Sequence, residues 1–466
     1  MVFSSLYFLF EFLPIVLLIY YLIPKKFRNV WLLISNLVFY GFGEPVYILI
    51  MVASIFIDYT HGILVEKYRE KDKVARYFVG QSVVLNLGIL LFFKYFDFLL
   101  INAQSIIPAL EAIEPLNLPL PIGISFYTFQ TMSYTIDIYR QDAKAQRNIL
   151  NFGVYVTLFP QLIAGPIVKY KDVAEQLTDR QESIEKFSLG VKIFTQGLFK
   201  KVLLANNIGM LWDIYKQTPQ NELSVLGAWL GIVAFSFQLY FDFSGYSDMA
   251  RGLGRMLGFE FMENFNYPYI SKSATEFWRR WHISLGSWFR EYVYIPLGGN
   301  RAGPIKLYRN IFVVWLLTGF WHGAEWNFAF WGIYFAIVLT IEKLFLLDIL
   351  KKCPAVVSHI YTIIIVLVSF VLFAIEGNGT QALGYISVMF GNSSIGFVDT
   401  NTLYYLANYA IMLVLCTLAA IPFMEKIRIP EKIRPTLEVL FIAFTLIVST
   451  AYLVNATYNP FLYFRF

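Results

Sequence analysis

FWRRWHISLGSWFREYVYIPLGGNRAGPIKLYRNIFVVWLLTGFWHGAEWNFAFWG, residues Phe277 to Gly332, holds two of the chain's four histidines, His282 and His322, each directly after a tryptophan. A titratable ring in such apolar sequence is costly unless it is partnered or used. Trp278, Trp281, His282, Leu285 and Phe289 recur at i, i+3, i+4, i+7 and i+11, which predicts one helix over Phe277 to Arg290 with an aromatic stripe. Arg279 and Arg290 share nearly one angular position on that helix and add a cationic stripe. It is too charged to cross a bilayer freely. Either it is partly re-entrant and its arginines meet phosphate groups, or it lies at the interface and they meet lipid headgroups. The segment Phe320 to Gly332 differs in kind, because a neutral imidazole can take a proton from a hydroxyl and return it near neutral pH. His322 is therefore a candidate general base, against the alternative of a hydrogen-bonded structural histidine. Gly323 would permit close backbone approach, and Glu325 or Asn327 would orient the ring or a substrate.

The rest of the chain reads as a membrane housing for this stretch. Hydrophobic residues make up 58% and charged residues only 15% of the 466 positions, with a mean hydropathy of +0.57, and apolar runs recur along nearly the whole length. The net charge of +5 is too small for a nucleic-acid footprint, and the basic residues fall in short clusters between apolar runs. Cys353 and Cys416 support neither a disulfide framework nor a thiol metal site, and no metal ligand set is expected.

The basic clusters set the expected topology. Val2 to Ile23 lacks a basic leader and a small-residue cleavage site and reads as a retained span. PKKFR (Pro24 to Arg28) follows, so by the positive-inside rule the N-terminus lies outside. Trp31 to Phe42 and Val46 to Val65 form an out-and-back pair, and Tyr77 to Ile101 exits again. Ile360 to Ile375 and Leu406 to Pro422 are spans joined outside, and Leu437 to Val454 carries the C-terminus out. The middle is less regular. Leu118 to Arg140 and Phe159 to Tyr170 mix Pro, Gly and polar groups into apolar sequence; such backbone lines a cavity or is covered by protein, unless these are ordinary kinked helices. Lys192 to Lys201 has a basic amphipathic pattern suited to the cytoplasmic interface, and Leu226 to Phe243 is a span ending near Asp242, a buried acid that calls for a partner.

The blocks Pro121 to Arg140, Phe159 to Ile167, Tyr240 to Phe259, Phe277 to Arg301, Phe320 to Gly332 and Asn459 to Phe466 together resemble a bacterial membrane-bound O-acyltransferase of the alginate or peptidoglycan O-acetyltransferase type. The resemblance implies an all-α polytopic membrane protein, a ring of about 11 transmembrane helices with re-entrant and interfacial helices around a thin central region. It implies a single membrane-embedded domain over 1–466, with a catalytic core over about 118–332. It makes His322 catalytic and places His282 at the active site. Arg279, Arg280, Arg290, Trp321 and Asn327 are then expected to bind substrate. The donor would be acetyl-CoA, with no bound cofactor. An extracytoplasmic SGNH-type acetyltransferase would be the partner, the cytoplasmic membrane the location, and an envelope polysaccharide the final acceptor. The aromatic end YNPFLYFRF resembles a motif in which a tyrosine relays the acyl group, which singles out Tyr463 against a plain interfacial anchor. Two other readings stand beside this one: D-alanyl transfer to teichoic acid, and a transporter or flippase of an acylated carrier. The transporter is disfavoured because no paired halves with matching discontinuities are visible.

Overall fold

The computed structural model describes residues 1–163, 165–301, 303–377, 379–427, 429–455 and 459–460, leaving aside the side chain at 424. All regular elements among these residues are helical. Six helices are long and apolar enough to cross a membrane: Ile48–Lys67, Asp72–Gln104, Val225–Met256, Ala355–Ala374, Thr400–Ala419 and Arg434–Asn455. The protein is a multi-pass, all-α membrane protein, and this count by itself does not reach a ring of about 11. Some apolar helices are shorter, such as Trp326–Ile341 with 16 residues, and the first run is a π-turn, Phe8–Phe12, leading into Leu13–Leu22.

The described residues group into two compact units, Met1–Phe194 with Tyr246–Met262, and Thr195–Gly245 with Glu263–Phe466. The first is built around Ile124–Arg140, whose side chains are buried on nearly every face. The irregular backbone expected over Leu118 to Arg140 is confined to the residues before Ile124; from there the helix runs unbroken, and its Thr131 and Thr135 side chains meet partners on Asp72–Gln104. Thr131 donates to Asn86 at 3.1 Å, and the Asn86 amide donates to both oxygens of Asp58 at 2.9 Å. Ser82 donates to Asp58 at 2.6 Å and meets Thr135 at 3.1 Å. The expected break does occur over Phe159 to Tyr170, where among the described residues only the four-residue helices Phe159–Leu162 and Tyr170–Val173 form.

Two further expectations are corrected. The span beginning near Leu226 continues past Phe243 to Met256, as a single helix of 32 residues. Asp242, expected to be buried, and the serines beyond Tyr240 are buried along that helix. Lys201 does not reach toward an interface. Ile184–Leu198, the π-segment Phe199–Ala205 and Asn206–Gln217 follow without interruption, and Lys201, 1% exposed, pairs with Asp242 inside the second unit. Placing both ions in low dielectric is tolerable only because each neutralises the other.

The hairpin of Pro304–His322 and Trp326–Ile341 organises the second unit. Its helices touch through glycine: a Cβ on Gly319 would lie 2.4 Å from the Phe328 carbonyl oxygen, and one on Gly332 2.5 Å from that of Trp315. Small residues let membrane helices approach closely where water supplies no hydrophobic drive. The crossing fixes His322 at the C-terminal end of the first helix, against the start of the second.

Candidate active site

His322 is 7% exposed and stands among aromatic rings. Trp321, Trp331 and Phe373 approach it edge-on, at centroid distances of 5.0, 5.2 and 5.2 Å. It opens on a small cavity of about 20 Å³ lined also by Leu239, Phe243, Trp278, Trp281 and Phe370. Three side chains in this neighbourhood carry polar atoms that have no hydrogen-bond partner among the described residues: the indole N–H groups of Trp278 and Trp331, and both amide atoms of Asn327, which is 1% exposed. Buried polar groups are nearly always satisfied, so a cluster of exceptions beside a histidine calls for a ligand. The close approach expected at Gly323 is made by a ring and not by backbone: a Cβ there would lie 2.2 Å from Phe328. Glu325 is exposed and accepts the Gly377 N–H at 3.4 Å.

His282 arrives from a different element, and the single helix expected over Phe277 to Arg290 is corrected. The chain forms Ala274–Arg280, breaks at Trp281 and His282, and resumes as Ile283–Phe289. At the break His282 adopts φ 47°, ψ 53°, a left-handed conformation that costs a non-glycine residue about 1–2 kcal/mol. Asn264 braces it, its carbonyl accepting the Ile283 N–H at 3.0 Å and its side chain accepting the Ser284 N–H and hydroxyl at 3.1 and 2.9 Å. The kink turns the His282 ring onto Phe243 at 4.7 Å and toward Trp321 at 5.8 Å. Trp321 thus touches both histidines.

The break also undoes the cationic stripe. Arg280 donates to Glu276 at 3.0 Å and to the Asn266 carbonyl at 3.2 Å, whereas Arg279 and Arg290 are exposed on separate helical pieces. Tyr463 lies outside the described residues.

Glu342 is a residue that motif reasoning passes over. Fully buried, its carboxylate accepts the N–H groups of Ala274 and Thr275 at 2.7 and 2.8 Å, the Thr275 hydroxyl at 2.6 Å and the Tyr361 hydroxyl at 3.2 Å. A carboxylate on the free N–H groups at a helix start is favoured by the helix dipole. Glu342 thereby anchors the helix that delivers Trp278 and His282. Its one sequence signal is a single acid inside the otherwise apolar run from Trp331 to Leu347, interrupted only by its neighbour Lys343.

The profile of MBOAT, the membrane-bound O-acyltransferase family, matches residues 139–387. The chain is 39% identical to a probable alginate O-acetylase AlgI of Pseudomonas putida over the full length of both. It is 42% identical to a probable alginate O-acetylase AlgI of Azotobacter vinelandii, over 81% of this chain and 75% of the relative. With the peptidoglycan O-acetyltransferase of Helicobacter pylori it shares 36% identity, over 74% of this chain and 70% of the other.

Proposed function

The chain belongs to the membrane-bound O-acyltransferase family, and from that premise we propose that it takes acetyl groups from cytoplasmic acetyl-CoA and delivers them across the bacterial cytoplasmic membrane for O-acetylation of an envelope or exported polysaccharide. That it is a membrane O-acyltransferase follows from the family itself. The observation carrying the reading of the site is His322, buried at the end of its helix beside the unpaired polar atoms of Trp278, Trp331 and Asn327.

In this mechanism His322 accepts the proton of an acceptor hydroxyl as the hydroxyl oxygen attacks the thioester carbonyl. The Trp278 and Trp331 N–H groups receive the developing oxyanion, where pre-aimed donors in an apolar site are most effective. Collapse breaks the C–S bond, and the departing thiolate takes the proton from His322, leaving an ester and free thiol. Asn327 orients the acyl group. His282 and Trp321 complete the wall of the site, and Arg279 and Arg290 are the exposed cations suited to the donor's phosphates. Arg280 is engaged by Glu276, so its own part is weaker.

The acceptor in this scheme is the Tyr463 hydroxyl. The product is an aryl ester, reactive enough for the serine of an extracytoplasmic SGNH-type transferase to take the acetyl group onward to polymer. Both termini are then extracytoplasmic, following the charge clusters. The test of the whole reading is His322→Ala in living cells: the protein inserts at parental level and polymer O-acetylation disappears. Normal acetylation by a well-expressed variant would refute it.

A further inference from the structure

The start of the C-terminal tail meets the protein at an unexpected place. The Lys201 ammonium donates to the Pro460 carbonyl while paired with Asp242, and the Asn206 side chain donates to Asn459 Oδ1 at 3.1 Å. Lys201 and Asp242 are among the most deeply buried charges in the second unit, with side chains 1% and 3% exposed. Lys201 sits in the π-segment Phe199–Ala205, a distortion that recurs at functional sites. Asp242 lies on Val225–Met256 immediately before Phe243 and three residues after Leu239, both of which line the His322 cavity. One helical turn rises about 5.4 Å, so the pair and the cavity wall share nearly the same level of this helix.

We propose that Lys201, held by Asp242, is a positioning residue that clasps Asn459 and Pro460 close to the level of Val225–Met256 that carries Leu239 and Phe243 of the histidine pocket. An ion pair that only joined two helices would have no need of a backbone carbonyl from the chain end. A lysine ammonium carries three donors, and here one is spent on the tail while the carboxylate neutralises the charge. Asn206, five residues along the same continuous helix, adds the second hold. Three residues of extended chain span about 10 Å, which sets the reach of Tyr463 from Pro460. The proposal rests on the reading of Tyr463 as acyl acceptor, and gives that reading the anchor it requires.

The test uses the full-length chain carrying Lys201→Met with Asp242→Leu, which removes the clasp and leaves no uncompensated buried charge. Carboxypeptidase digestion of the detergent-solubilised protein, followed by intact mass, reads release of the tail, and polymer acetylation in cells reads function. The expected result is a thermal midpoint near the parent's, C-terminal residues lost at least tenfold faster, and acetylation reduced at least tenfold. Lys201→Arg, which keeps a donor and the charge, is expected to retain most of the parental protection and activity. Parental resistance to carboxypeptidase in the double variant would overturn the clasp; fast digestion with full acetylation would overturn its role in positioning. Asn206→Leu, which leaves the ion pair intact, covers the case in which the double variant does not fold: faster digestion supports the clasp and an unchanged rate refutes it. Tyr463→Phe separates the two readings, because full acetylation by that variant removes the acceptor role while tail release in the clasp variants is unaffected.

Discussion

Two buried polar clusters in this protein are built on opposite principles. Around Asp58 in the first unit, every carboxylate oxygen is met by a donor from Ser82 or Asn86, and Asn86 in turn accepts from Thr131. Around His322 in the second unit, two indole N–H groups and a whole amide find no partner among the described residues. The first arrangement holds three helices, Ile48–Lys67, Asp72–Gln104 and Ile124–Arg140, in register. In the proposed mechanism the second supplies donors to a group that comes and goes. Burial alone does not distinguish them, since Asp58 and Asn327 are both essentially inaccessible. These two clusters differ in whether their polar atoms are already satisfied.

That contrast can be tested by graded substitution, with turnover per folded molecule as the measure. His322→Ala is expected to have the largest effect, a loss of about 10²–10⁴ in acetyl transfer, because it removes the base. Trp331→Phe keeps the ring and deletes one oxyanion donor, so a fall of up to about 10² in kcat is expected with little change in thermal stability. A parental kcat would mean that the indole serves packing alone. Asn327→Leu replaces an unsatisfied amide by an apolar group of similar size; stability should hold or rise while kcat/KM drops about fivefold, the worth of one ordinary hydrogen bond. Asp58→Leu should show the inverse pattern. Orphaning Ser82 and Asn86 costs about 1–3 kcal/mol per group, seen as a lowered thermal midpoint in detergent, while the protein that remains folded transfers acetyl groups at nearly the parental rate. If Asp58→Leu damaged turnover as severely as Trp331→Phe without lowering the midpoint, the division into scaffold and site would fail.

Much of this was legible without coordinates. The membrane class and the six long apolar helices follow from hydropathy, because a bilayer forces apolar runs of span length. The histidines were legible too, since WHGAEWNF and RRWH place titratable rings where burial demands a reason. Periodicity misled at Phe277 to Arg290, where a regular 3.6-residue pattern conceals a break. The left-handed turn at His282 is held by Asn264, about 20 residues upstream, which a local window does not sense.

The sequence by itself determined the membrane class and the family, since each depends on composition or on contiguous residues. Tertiary structure alone decided which polar groups were satisfied. Asp58 and Asp242 look alike in the chain, as lone acids in apolar runs, yet Asp58 became the acceptor of a closed hydrogen-bond network and Asp242 the counter-ion of Lys201. Ser82 and Asn86 lie 24 and 28 residues from Asp58, and Lys201 lies 41 residues before Asp242. In an apolar medium the free energy of a charge is set by the few atoms within hydrogen-bonding distance, and folding, not adjacency, selects those atoms.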